Sequence, residues 1–449
     1  LGVQLTFALN PKEPPAYSGL DKAPPPVLPR NAATAAQLGW GSGGDWAASP
    51  AALDDIETRA ARALSQTGLV LRGIALTPGA VRVEIDNPTY RAQAQAAGRA
   101  ARALTGVLPP SVETITVVLV KNGIAASQMT LRRSDLEALE YDLDNSWSSF
   151  ARARIGPSTA TLPPRDGLFP RWEGGFAPYI TPSFFDPDDP IRADLGVQYE
   201  ASLELAPGWV LYGLARKKIV GNLDQSTRVS NSVLPRVRSD FNIYDREGDP
   251  ALVELTLNRF FQPGEDLYGR VSVGYLETMY AGVSGELLWK PFDSDLALGV
   301  EVNWVRQRDF DQRFGLQDYS VTTGHVSAYY DFGNGFTGQM DVGRYLAGDW
   351  GATVALDRRF RNGWTVGAFA TKTDVSAAEF GEGSFDKGIR LTIPLDWISG
   401  QPDRRDADVM LRPVQRDGGA RVTVSNRLYG MINDSHQTGL QENWGRFWR

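Results

Sequence analysis

Cysteine is absent from all 449 residues, and histidine occurs only twice. Without thiols there is no disulfide framework, no thiolate nucleophile and no Cys-based metal site. No run of 18 or more apolar residues occurs, which excludes an ordinary membrane-spanning helix. Positive charge is in deficit: 46 Lys+Arg against 53 Asp+Glu leave a net charge of −7, which argues against a general nucleic-acid binder. No initiator Met, basic leader or cleavage site precedes Leu1. Instead Leu1, Val3, Leu5, Phe7 and Leu9 alternate with Gly2, Gln4, Thr6 and Ala8. That pattern predicts a half-buried strand with no turn before it, so the numbering is expected to start inside a sheet whose earlier strands lie upstream.

What is plentiful is glycine and rings: Gly 46, Trp 12, Tyr 15 and Phe 19, with 42% apolar and 22% charged residues. Closed β-barrels combine these, the rings forming girdles at membrane interfaces. The chain divides by pattern. Residues 1–10 read as the strand of an upstream barrel portion, and 11–48 as a Pro/Gly-rich linker, because proline fixes φ and removes donors. Residues 49–143 read as a soluble α/β domain. Ser49-Pro50 opens a helix, and Leu53, Ile56, Ala60 and Leu64 share one face of it. Strand pairs follow, turning at Pro78-Gly79 and at Asn122-Gly123, the latter a strong hairpin signal. RAARAL recurs at 59–64 and 99–104, each copy ahead of a hairpin, which predicts a duplicated helix–hairpin unit. Residues 144–171 form a connecting segment and 432–449 a C-terminal tail.

From 172 to 431 the pattern is β throughout, in strands near ten residues, and predicts a transmembrane barrel of about 12 to 14 strands. Leu298, Val300, Val302 and Trp304 oppose Gly299, Glu301 and Asn303; the stretches at 251–257, 267–275, 336–346, 364–370, 385–393 and 420–424 alternate likewise. Tight turns alternate with long loops, as in outer-membrane barrels. A soluble sandwich also alternates, so three features decide. Hairpin follows hairpin with no intervening helix, the polar face carries full charges in mid-strand, and rings gather at strand ends. The expected fold class is therefore mainly β: an antiparallel transmembrane β-barrel with an inserted small α/β domain built on a helix–hairpin repeat. Glu200, Glu204, Glu254, Arg270, Glu301, Asn303, Asp341, Arg390 and Arg421 are expected to face the lumen. Trp209, Trp289, Trp304, Trp350 and Trp364 are expected at the membrane interfaces.

Several strings are similar to one known family: VQLTFALNPKEPP, NSWSSFARARIGPST, PRWEGGFAPYITPSFFDPDDPIRADLGVQYE, GWVLYGLARKKIVGNLD, RVRSDFNIYDREGDPALVELTLNRF and GEGSFDKGIRLTIPLDW. Through them the chain resembles the YjbH family of exopolysaccharide and group 4 capsule outer-membrane proteins along nearly its whole length. The resemblance implies an outer-membrane barrel with a periplasmic α/β insertion. It also implies lipoprotein and periplasmic partners, a role in producing or secreting polysaccharide, and members longer than this chain. The RFWR ending departs from barrels that close on an aromatic residue.

Catalytic signals are weak. A Ser/His/acid hydrolase would have to use His325, near Ser327, or His436, and strand histidines are more often packing. DPDDP at 186–190 lacks the ligand spacing of Ca²⁺ loops, and Gly381-Glu382-Gly383 lacks the strand–helix context of a phosphate loop. No enzyme, metal or cofactor is expected. The leading expectation is a polysaccharide-secretion barrel contacting lipid, polymer and periplasmic or lipoprotein partners. A general porin and a barrel-anchored scaffold are the alternatives.

Overall fold

The computed structural model describes residues 22–31, 33, 45–158, 162–184, 189–380, 385–412 and 417–449. The strand expected at 1–10, most of the 11–48 linker, most of DPDDP and Gly381-Glu382-Gly383 lie outside the described residues.

The α/β unit is built from two helix–hairpin pieces. Helix Pro50–Gln66 starts at Ser49, whose hydroxyl accepts from the Ala52 amide, and buries Ile56, Ala60 and Leu64 on one stripe. It leads into β1 (Val70–Thr77) and β2 (Ala80–Asp86). Helix Gln93–Thr105 leads into β3 (Thr114–Lys121) and β4 (Ile124–Arg132). Its alanines let neighbours approach from all sides, and every residue of it is buried. Helices Arg133–Leu139 and Asn145–Arg152 and the short β5 (Arg154–Gly156) complete a five-stranded sheet in chain order, with β2 and β3 parallel. The β3–β4 turn has Asn122 and Gly123 both at positive φ, 49° and 78°, as the tight hairpin requires.

The second sheet has 13 strands in strict chain order, every neighbour antiparallel. They are β6 (Arg171–Phe184), β7 (Ile191–Ala206), β8 (Trp209–Gly221), β9 (Ala251–Gly264), β10 (Leu267–Tyr275), β11 (Tyr280–Trp289) and β12 (Leu296–Arg308), then β13 (Leu316–Gly333), β14 (Phe336–Arg344), β15 (Trp350–Arg359), β16 (Thr365–Thr373), β17 (Asp386–Pro394) and β18 (Asp406–Leu411). They curl into a nearly closed barrel, leaving a seam where β6 and β18 are not paired among the described residues. No described helix is long and apolar enough to cross a membrane; a barrel crosses with strands.

Alternation sorts each strand into two faces. On β12 Val300, Val302 and Trp304 are 42%, 53% and 55% exposed, while Glu301 and Asn303 between them are 4% and 1% exposed. The apolar side thus looks outward and the charged side inward, the reverse of a water-soluble protein.

The stretch expected as a strand at 420–424 is not one. The last barrel strand ends at Leu411, so the wall stops well before residue 431. Residues 417–427 instead run as an extended strap through the barrel interior. The strap enters beside Asp349 and Leu346, which bond Gly419 and Ala420, and leaves where the Leu428 amide meets Glu286. Ala420, Val422 and Val424 pack with Leu276, Tyr280, Val305 and Leu346. Their alternation is real, but it serves packing inside the barrel rather than pairing in its wall. Short helices Leu428–Ile432 and Gln437–Glu442 then carry the chain to the α/β unit.

Candidate functional site in the barrel lumen

The inward face of β9–β13 is a charge network centred on Arg270, which is fully buried. Its guanidinium lies 3.0 Å from Glu286 and 3.4 Å from Glu301, and bonds Ser272 and Ser284. The strap completes the network. Arg427 bonds Glu301 at 2.8 Å, Arg421 reaches Asp341 at 2.6 Å, and Ser425 donates to Glu254 at 2.6 Å. Each buried charge is thereby ion-paired or, for Glu254, held by hydroxyl donors, as a low-dielectric site requires.

The expected lumen residues separate into four groups. Glu254, Arg270, Glu301, Asn303 and Asp341 lie on the wall beneath the strap. Arg421 is not on the wall at all: it belongs to the strap, because 420–424 left the sheet. Glu204 sits at the barrel end, where Arg72 of β1 holds it in a two-pronged bond of 2.8 and 3.1 Å. Glu200 and Arg390 stay part-exposed, bonded to Tyr212 and to Asp357.

Trp209, Trp289, Trp304 and Trp350 lie exposed on the outer face. Trp364 does not: it is buried, edge-on to Trp397 at 5.2 Å between ring centroids. It precedes β16 and folds under the turn, so it cannot join an outer girdle. No hydrolase set forms around His325. Ser327 donates to Asp341, and the buried imidazole packs edge-on to Tyr345 with no hydrogen-bond partner among the described residues. His436 is buried too, against Tyr268 and Phe292, and desolvation drives its pKa down to about 4.

Sequence reasoning missed how the two domains lock together. Asp86 pairs with Arg171 at the start of β6. The neighbouring Asn87 carbonyl accepts from Arg404, and Arg91 pairs with Asp396 and Asp406 at the β17–β18 end. The two sides of the seam are therefore held by one short loop of the α/β unit. Charged residues flanking a strand end were the available signal, but their partners lie 85 to 317 residues away.

The tail makes a second lock. Phe447, Trp444 and Leu440 join the α/β core, and Arg99 and Arg102 donate to the carbonyls of residues 447–449. Gly98 marks the closest approach: a Cβ there would collide with the Phe447 carbonyl. Helix-interior Gly→Ala normally stabilises by about 1 kcal/mol. Here the sign reverses, and Gly98→Ala is expected to cost about 1–2 kcal/mol net through overpacking. Faster proteolytic release of the tail would register it.

Lys121, half-buried at the end of β3, loses hydration and lies near Arg404, only partly offset by Asp434 and Asp86. Its pKa falls from 10.5 to about 8. Between those values the unfolded chain binds more protons than the folded one, so stability rises with pH across that window. Lys121→Met is expected to melt above the wild type at pH 7, with the difference gone by pH 10.5. Melting curves at the two pH values would check it.

Comparison with known proteins now adds an identity. A family model described as the exopolysaccharide biosynthesis protein family YjbH matches residues 1–434. The chain belongs to the YjbH family. An Escherichia coli K12 member, "Uncharacterized lipoprotein YjbH", is 33% identical over 359 residues, covering 77% of this chain and 51% of that protein. The chain thus spans about half the length of this curated YjbH relative. Among solved structures, Pseudomonas aeruginosa OccK11 (OpdR) aligns over 65% of this chain and 86% of its own, at 10% identity and a TM-score of 0.28. At that score the likeness carries no inference for a YjbH-family chain.

Proposed function

We propose that this chain is the outer-membrane β-barrel component of an extracellular polysaccharide secretion system, of the exopolysaccharide or capsule type, and that it works without catalysis. The observation that carries the reading is the inverted barrel: aliphatic and aromatic residues outside, paired charges within, in a chain of the exopolysaccharide biosynthesis family. Its contacts are outer-membrane lipid, the polymer, and periplasmic and lipoprotein partners docking on the α/β unit. The test is an in-frame deletion with secreted polysaccharide measured per cell. Unchanged secretion would refute the export role.

A scaffold reading has one observation in its favour. Tyr141, Leu143 and Trp147 are 87%, 100% and 72% exposed on the α/β unit, and single proteins seldom leave such a group to water. Leu143→Ser with Trp147→Ser separates the readings, since loss of secretion from an intact, normally conducting barrel would favour recruitment. A general porin fits less well, because the strap fills much of the interior.

A further inference from the structure

The two halves of the lumen differ. Beneath the strap, Glu254, Asn258, Arg270, Ser272, Glu286, Glu301 and Asn303 are buried and bonded to one another or to residues 417–428. On β6–β8, and across the seam on β17–β18, Tyr179, Gln198, Glu200, Tyr212, Arg216, Arg390 and Met410 keep part of their inward surface free. Among the described residues, none of these side chains bonds the strap.

Those free side chains form a connected set. Tyr212 donates to Glu200 at 3.0 Å, and Arg216 donates to Gln198 at 3.2 Å. The Arg216 guanidinium lies over the Tyr179 ring, 5.0 Å from its centroid. Across the seam, Arg390 pairs with Asp357 at 2.7 Å, and Met410 of β18 is 44% exposed. This is the mixture that a pyranose ring needs. A flat phenol ring can cover the ring's C–H face, while planar carboxylate, amide and guanidinium groups bridge neighbouring hydroxyls. Three acids, Glu200, Asp357 and Asp408, stand against two bases, Arg216 and Arg390, and this small excess of acid disfavours an acidic polymer.

We propose that the sugar-contact surface of this protein is the uncovered half of the lumen, with Tyr179, Gln198, Glu200, Tyr212 and Arg216 binding a chain of uncharged sugars. The strap-covered half is structural. The proposal rests on the polysaccharide reading above and narrows it to one wall.

The test is ionic current through the purified protein in planar bilayers, with maltohexaose as a neutral probe and oligogalacturonate as an acidic one. The wild type is expected to conduct through the uncovered half and to be interrupted by maltohexaose more strongly than by oligogalacturonate. Tyr212→Ala with Arg216→Ala should weaken the maltohexaose block about tenfold, and Gln198→Ala should weaken it less. Heat-modified electrophoretic migration verifies that each variant is folded. Ser284→Ala, on the covered wall, should leave the block unchanged. Absence of current, block by the acidic probe alone, or equal effects of variants on both walls would overturn the proposal. A deletion strain that secretes normally would overturn the export role without touching this block. An unaltered block in the Tyr212, Arg216 and Gln198 variants would overturn the track alone.

Discussion

Removing residues 412–449 should raise single-channel conductance severalfold and loosen the α/β unit at the same time. The strap lies inside the barrel along its axis, bonded to Asp349 at one end and Glu286 at the other, so its loss widens the aqueous path. The wall keeps every strand, because the last one ends at Leu411. The acids the strap leaves behind become hydrated rather than orphaned. The α/β unit loses Leu440, Trp444 and Phe447 from its core, and Arg99 and Arg102 lose carbonyl acceptors. Each such orphaned buried group costs about 1–3 kcal/mol. Bilayer recordings and protease susceptibility of residues 45–158 would read the two effects separately. Unchanged conductance would mean that the strap does not limit the path.

Glu301→Ala should be the most damaging single substitution in the barrel. Glu301 faces Arg270, Arg421 and Arg427 at 3.4, 3.7 and 2.8 Å, and is itself 4% exposed. Deleting one partner from a fully buried pair costs about 3–5 kcal/mol, and because the Arg427 side chain is 31% exposed and can regain water, the loss here is expected at about 2–3 kcal/mol. Arg270 keeps Glu286 and Arg421 keeps Asp341, so Arg427 suffers most. Glu301→Gln retains hydrogen-bond acceptance and should lose less. Denaturant titration followed by heat-modified migration would rank the three proteins. Equal stability of Glu301→Ala and wild type would deny the network its structural role.

Local periodicity revealed the wall and the α/β unit. On β12, outward Leu298, Val300, Val302 and Trp304 alternate with inward Gly299, Glu301 and Asn303, and lipid outside with polar contacts inside demands that alternation. Asn122-Gly123 and the Ser49-Pro50 helix start were visible because turns and caps depend on a few adjacent residues. The strap was misread for the same reason. Ala420, Val422 and Val424 alternate with Arg421 and Thr423 as a strand would, and only the distant partners Asp341 and Glu277 reveal that they line the interior. Trp364 was misplaced because a ring at a strand end can turn outward or inward, and Trp397 decides which. The division of the lumen into covered and free walls was equally hidden. Glu200 and Glu301 look alike in sequence, and only the path of residues 417–427 separates them.

The loop that grips both sides of the seam turns the α/β unit into a buckle on a hoop. Asp86 holds one end of the belt, and Asn87 with Arg91 holds the other. The girth of the cylinder is thus governed by a few residues lying beyond its rim. Insertions between Asp86 and Asn87 would let the belt out by a notch without altering any strand, a route to wider bores with the same wall.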